Sequence, residues 1–160
     1  MIERAKVQDS KIVYEILRKN AAKGVVLPRT LASIYEHIRE FFVYRVSGRI
    51  VGMAALHIVW ENFAEVRSLV VDSRHREKGI GRKLVARVLE EAENLNIPMV
   101  FALTREAEFF KKLGFRKVSK NILPHKVWND CINCPLFPDC DETPVIYYIK
   151  KQTIKRKERM

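Results

Sequence analysis

No run of apolar residues in this 160-residue chain approaches the roughly 20 that a membrane span requires. The longest, Ile50 to Trp60, is about half of that and carries His57. The first ten residues mix both charge signs and hold no apolar stretch of the kind that directs secretion, so a cytoplasmic protein without a membrane partner is expected. Cysteine is scarce as well: three residues make no disulfide framework for a small secreted domain. No internal repeat, low-complexity block or Pro/Gly/Ser linker divides the first 119 residues. What remains, 48% hydrophobic and 31% charged residues, is enough to bury a core and excludes wholesale disorder. The expected organisation is a single domain over 1–149, with a Cys/His-containing insert at about 120–142 and a basic tail over 150–160.

Acidic residues are the minority, 19 against 30 Lys and Arg, for a net charge of +11. The tail from Lys150 holds six Lys or Arg and one Glu, which leaves 24 basic and 18 acidic residues, a net +6, before it. Such a balance permits nucleic-acid binding, and it equally suits a cleft that attracts polyanionic and acidic small molecules. The aromatics decide between them. Phe41, Phe42, Phe101, Phe109, Phe110 and Phe115 fall in apolar strand or helix patterns, not interleaved with exposed Lys and Arg, so nucleic acid is not the expected partner.

The periodicities predict a strand near Ile2–Val7, then a helix with Asp9 at its N-cap, Ile12, Val13, Ile16 and Leu17 on one face and Gly24 at its end. Thr30 is placed to cap a second helix bearing Leu31, Ile34, Tyr35 and Ile38. Phe41–Val46 and Ile50–Val59, about the Ser47-Gly48 turn, read as a hairpin whose second arm is a central strand. A strand over Ala64–Asp72, a helix from Ile80 to Leu95, a strand over Met99–Leu103, a short helix over Glu106–Leu113 and a strand over Phe115–Val118 follow. The fold class is therefore α/β: a mixed, mostly antiparallel sheet with helices on both faces.

One string carries most of the chemistry. Between the strand ending in Leu69-Val70-Val71 and the long helix stands a basic loop, Arg76-Glu77-Lys78-Gly79-Ile80-Gly81. Glycines let a backbone approach a ligand closely, and the free N–H groups of a helix start attract phosphate. A P-loop is excluded because Gly-Lys-Ser/Thr is absent, and a dinucleotide fingerprint because its third glycine and downstream acid are missing.

Arg76-x-x-Gly79-x-Gly81 resembles the acetyl-CoA pyrophosphate motif of the N-acetyltransferase (GNAT) superfamily, and Phe109-Phe110-Lys111-Lys112-Leu113-Gly114-Phe115 is similar to its late helix and Gly-Phe turn. The resemblance covers about residues 2–119. Leu27-Pro28-Arg29-Thr30, Ala55–Glu61 and Leu123–Trp128 narrow it to the short N-acetylglutamate synthases of arginine biosynthesis. It implies a sheet splayed at its middle, with acetyl-CoA as cosubstrate held by Leu69, Val70 and Val71 on the strand and by Arg76, Glu77, Lys78, Gly79, Ile80 and Gly81 on the loop. It also implies Glu65 as the base that deprotonates the acceptor amine, in direct attack within a ternary complex, and Arg29 and Arg67 as cations for an acidic amino acid, L-glutamate first. An ordinary ion pair between Glu65 and Arg67, and surface pairing of either arginine, stay open. So do a protein N-terminus or another small amine as acceptor, an inactive binding module, and a homodimer. Where many members of the superfamily carry a tyrosine that protonates the leaving thiolate, this chain has Phe110.

His125, Cys131, Cys134 and Cys140 have the chemistry of a zinc site. Only one Cys-x-x-Cys half is present, so reduced, packed cysteines are preferred to metal. His37, His57 and His75, each alone on its element, are read as structural or solvated.

Overall fold

Apolar alternation along two neighbouring segments, joined by the Ser47-Gly48 turn at φ 50° and 77°, folds the first hairpin of the sheet. The computed structural model describes residues 1–24, 26, 28–123 and 142–150. Its strands are β1 (Ile2–Arg4), β2 (Phe41–Val46), β3 (Arg49–Trp60), β4 (Phe63–Val71), β5 (Met99–Thr104), β6 (Arg116–Lys117) and β7 (Thr143–Tyr148). Its helices are α1 (Ser10–Ala22), α2 (Leu31–His37), α3 (Ile80–Asn94) and α4 (Ala107–Lys112). The strands form one seven-stranded sheet in the order β1-β2-β3-β4-β5-β7-β6. β4 and β5 are parallel, joined by the α3 crossover, and every other pairing is antiparallel. Among the described residues no helix is long and apolar enough to cross a membrane.

Side chains alternate across the sheet into separate cores. On one face, Val13 and Leu17 of α1 and Ile34 of α2 pack on Phe41, Val43, Met53 and Ala55. On the other, Leu84, Val85 and Val88 of α3 and Phe110 of α4 cover Phe42, Ala54, Leu56 and Val66. A Cβ on Gly52 would stand 3.1 Å from both Ile80 and Leu84, so the bare backbone of β3 is what lets α3 lie this close. Thr30 caps α2, its hydroxyl accepting from the Ser33 N–H. Gly114, at φ 97°, closes α4.

Two expectations need correction. Asp9 occupies the N-cap position of α1 but makes no side-chain cap. Its carboxylate turns back to accept the Lys6 N–H at 2.8 Å and both its oxygens take the Arg45 guanidinium at 2.8 Å, tying the helix start to the sheet. The sequence reading also ended its strands at Val118, whereas Thr143–Tyr148 forms β7 between β5 and β6. Pro144 masked that strand. It sits at the second strand residue, near the end of the ladder, where a missing N–H is tolerated.

Burial alone would raise the Asp9 pKa, but the hydrogen bonds from Arg45 and the Lys6 backbone outweigh it and hold the carboxyl below its ordinary value of 3.8. A lowered folded value means stability that is present above about pH 3.8 and lost as pH falls through the folded value. Thermal melts from neutral pH down to about pH 3 should therefore show Asp9→Asn less stable than wild type by about 2 kcal/mol at neutrality, the gap closing in acid. A gap independent of pH would assign the loss to shape alone.

Candidate functional site

β4 is paired along its length with β3, but with β5 only at Phe63, Ala64 and Glu65, opposite Met99, Val100 and Phe101. Beyond Glu65 the two halves of the sheet part. Ser68 has φ 56°, and across it the register jumps from Ala55↔Arg67 to Met53↔Val70, a bulge that sets two β4 residues against Ala54. The bulge turns Leu69 and Val71 toward the α3 face, while Val70 is buried in the α1/α2 core. The Asp72 N–H donates to Val51 O at 2.7 Å, so strand alternation turns the N–H groups of Val71 and Leu69 the other way, toward the gap β5 has vacated.

The gap leads to the start of α3. Asp72 accepts the Arg74 N–H at 3.0 Å, which folds a tight turn over Ser73–His75 and holds the Asp72 carboxyl below its ordinary value. Glu77 and Gly79 then both have positive φ, 66° and 75°, and α3 begins at Ile80 with no side-chain cap. Among the described residues its first N–H groups thus have neither a helical nor a side-chain acceptor. Arg76, Lys78 and Arg82 are exposed around them. Ile80 contributes only backbone here, its side chain being buried against β3. The two glycines differ: Gly79 supplies a left-handed turn, whereas a Cβ on Gly81 would stand 3.4 Å from the Phe109 ring and 3.7 Å from Val71, so Gly81 serves close packing of α3 on α4 and β4. An uncapped 15-residue helix behind a positive loop is a fit for a phosphate-bearing ligand.

At the other end of the gap, Glu65 is buried to 7% exposure and ion-paired with Arg67, its neighbour two residues on along the same strand face. Arg29 comes over this pair from the segment before α2. Its Nη2 donates to the Ser33 hydroxyl at 3.2 Å and its guanidinium carbon lies 5.4 Å from the Phe41 ring centroid. Its Nη1 is buried and has no hydrogen-bond partner among the described residues. Burial first, and then the charge of Arg67, hold the Arg29 pKa below its ordinary value, with Glu40 and Glu65 acting the other way. An arginine stays protonated under such pressure, and its unmatched donor therefore calls for an anion. The structure thus brings Arg29, Glu65 and Arg67 together, as the sequence placed them.

Phe110, which has no proton to give, is buried against Phe109 and Phe115. His125, Cys131, Cys134 and Cys140 lie outside the described residues, as do residues 151–160 of the basic tail. The sequence reading missed one group. The His57 Nδ1 is 2.9 Å from Glu40 Oε2, and the His37 ring stands edge-on to that of His57 at 6.1 Å between centroids. Each histidine is single on its own element, so only the three-dimensional pairing of β3 with the turn after α2 exposes the cluster.

Comparison with known proteins follows the same lines. The family model described as the Acetyltransferase (GNAT) family matches residues 12–115. A protein of Chlorobaculum tepidum named as an uncharacterised N-acetyltransferase is 36% identical over 91% of this chain and 94% of its own length. The amino-acid acetyltransferase of Mycobacterium tuberculosis is 32% identical over 81% of this chain and 76% of its own. In structure, the N-acetylglutamate synthase of Neisseria gonorrhoeae, solved with coenzyme A and N-acetyl-glutamate, superimposes with a TM-score of 0.84 at 24% identity, over 92% of this chain and 34% of that one.

Proposed function

Because the chain belongs to the acetyltransferase (GNAT) family and is an acetyl-CoA-dependent N-acetyltransferase, we propose that its acceptor is the α-amine of an acidic amino acid, L-glutamate first. The observation that carries this reading is the buried Nη1 of Arg29, a charged donor without an acceptor among the described residues, set beside the Glu65–Arg67 pair where the sheet opens. A carboxylate supplies what that nitrogen lacks, and a guanidinium fork matches it in shape. The name of the mycobacterial relative and the ligands of the gonococcal enzyme support the same class of acceptor.

The residues then divide the work. The N–H groups at the start of α3, with Arg76 and Lys78 around them, take the pyrophosphate of acetyl-CoA, and the open edge of β4 at Leu69 and Val71 lies along its pantetheine arm as a neighbouring strand would. An N–H on that edge polarises the thioester carbonyl. Arg29 holds a carboxylate of the amino acid, and Arg67 a second while it orients Glu65. Glu65 accepts a proton from the ammonium so that the nitrogen lone pair attacks the thioester carbon. The carbon–sulfur bond then breaks, and a thiolate whose conjugate acid has a pKa near 8.5 leaves without an enzymic acid, consistent with phenylalanine at position 110.

Three measurements test this. Gly79→Asp places a carboxylate in a left-handed turn at the phosphate position, and calorimetry should show acetyl-CoA affinity reduced by about 10²-fold or more; unchanged affinity removes the loop from the site. Glu65→Gln keeps the shape and should lower kcat by about 10²-fold with acetyl-CoA affinity retained. Arg29→Ala should raise the KM for glutamate by about 10²-fold, and Arg67→Ala should lower kcat as well because it frees Glu65. Comparing kcat/KM for glutamate, glutamine and aspartate locates the effect: equal losses for every amino acid, apolar ones included, would assign Arg29 to the α-carboxylate alone.

A further inference from the structure

Acetyl transfer from a thioester to an ammonium releases one net proton, because the nitrogen gives up two and the thiolate takes back one. Glu65 accepts the first of these, and with its side chain only 9% exposed, direct exchange with bulk water is restricted. We propose that His57, held by Glu40, takes the proton from Glu65 and delivers it to solvent beside α2. The proposal rests on Glu65 as the base and extends it by a second proton-carrying residue.

Four observations carry it. His57 and Glu65 are register partners across the antiparallel β3–β4 pair, and such neighbours place their Cβ atoms about 4.5–5.5 Å apart on one face, within reach directly or through one water. The Glu40 carboxylate only accepts, so the hydrogen on His57 lies on Nδ1 and the lone pair on Nε2. Side-chain exposure rises from 9% at Glu65 to 18% at His57 and 23% at Glu40, an outward gradient. Finally, β2 stops at Phe41, opposite Ala55, while β3 runs on to Trp60; beside that bare edge lies a cleft of about 310 Å³ lined by His37, Glu36, Glu40, Leu56 and Ile58 among others. The cleft opens at Glu40 and His37, the two neighbours of His57, which does not line it itself.

The step balances. The amine proton moves to Glu65, then to His57 Nε2. The imidazolium, with Glu40 as its counter-ion, gives one proton to water and is restored as neutral histidine, and Glu65 is again a carboxylate. The groups that set this exchange are Glu40 on the turn before β2, His37 on α2, Glu65 and Arg67 on β4, and Arg29 on the segment before α2, which interacts with both glutamates. His37 donates its own Nδ1–H to Ser33 O at 2.8 Å, which likewise leaves its Nε2 basic. Glu36 and Arg39 line the cleft itself.

The test uses the full chain with acetyl-CoA and glutamate. His57→Ala should lower kcat about tenfold while the KM for glutamate and the affinity for acetyl-CoA stay within about twofold, and free imidazole should restore kcat in a saturable manner. Glu40→Gln, which keeps the imidazole but removes its counter-ion, should also lower kcat and change its pH profile, without rescue by imidazole; it stands in where His57→Ala does not fold. Wild-type kcat in both variants, a loss confined to KM, or a loss that imidazole leaves untouched in a folded His57→Ala protein would overturn the relay. Glu65→Gln separates the two levels: if it is inactive while His57→Ala turns over normally, the relay alone falls; if it is fully active, Glu65 is not the base and the relay falls with it.

Discussion

The parallel pairing of β4 with β5 ends after three residue pairs, and the rest of the site depends on that interruption. A continuous ladder would satisfy the outer backbone groups of β4 and leave nothing for a ligand to pair with. Here the strand keeps its β3 partner, while among the described residues its other edge is left open from Val66 to Val71. The bulge at Ser68 then changes which face each following side chain takes. Before it, Glu65 and Arg67 look toward α1 and α2; after it, Leu69 and Val71 look toward α3. One strand thereby serves an acceptor on one side of the sheet and a phosphate loop on the other.

The charges on the acceptor side are balanced locally. Two arginines, two glutamates and two histidines crowd a region that is mostly buried, where Glu65 pairs with Arg67, Glu40 with His57, and His37 with the Ser33 carbonyl. A protein interior tolerates such groups only when nearly all are matched. The mismatch at Arg29 Nη1 is therefore informative in a way that a surface lysine is not: a buried donor with no acceptor among the described residues is costly, and the carboxylate of the proposed acceptor would remove that penalty.

Much of the fold was legible because its signals are local. The Ser47-Gly48 turn, the Thr30 cap, the Gly114 stop and the periodicity of α3 are each written in a few adjacent residues. The phosphate loop was legible for the same reason. What escaped was non-local. The Asp9 carboxylate left its expected cap for Arg45, 36 residues away, and no pattern around Asp9 reveals that competitor. β7 lies beyond a Pro-containing stretch and joins the sheet between two strands that precede it. His57 and Glu40 are 17 residues apart, on elements that only the β2–β3 register brings together. Even Gly81 was read by its neighbours in sequence, as room for a ligand, when the space it leaves is filled by Phe109.

Gly52 shows how far such a space can act. It lies on β3, beneath the first turn of α3, and a Cβ there would stand 3.1 Å from both Ile80 and Leu84. The height of the helix above the sheet, and with it the distance between the uncapped N–H groups and the open edge of β4, is set by the absence of one methyl group. On the proposed function those two surfaces hold different parts of one acetyl-CoA molecule, so their spacing works as a ruler. Any side chain on Gly52 would lengthen that ruler from beneath, moving the anchor for the phosphates while leaving every residue of the loop in place.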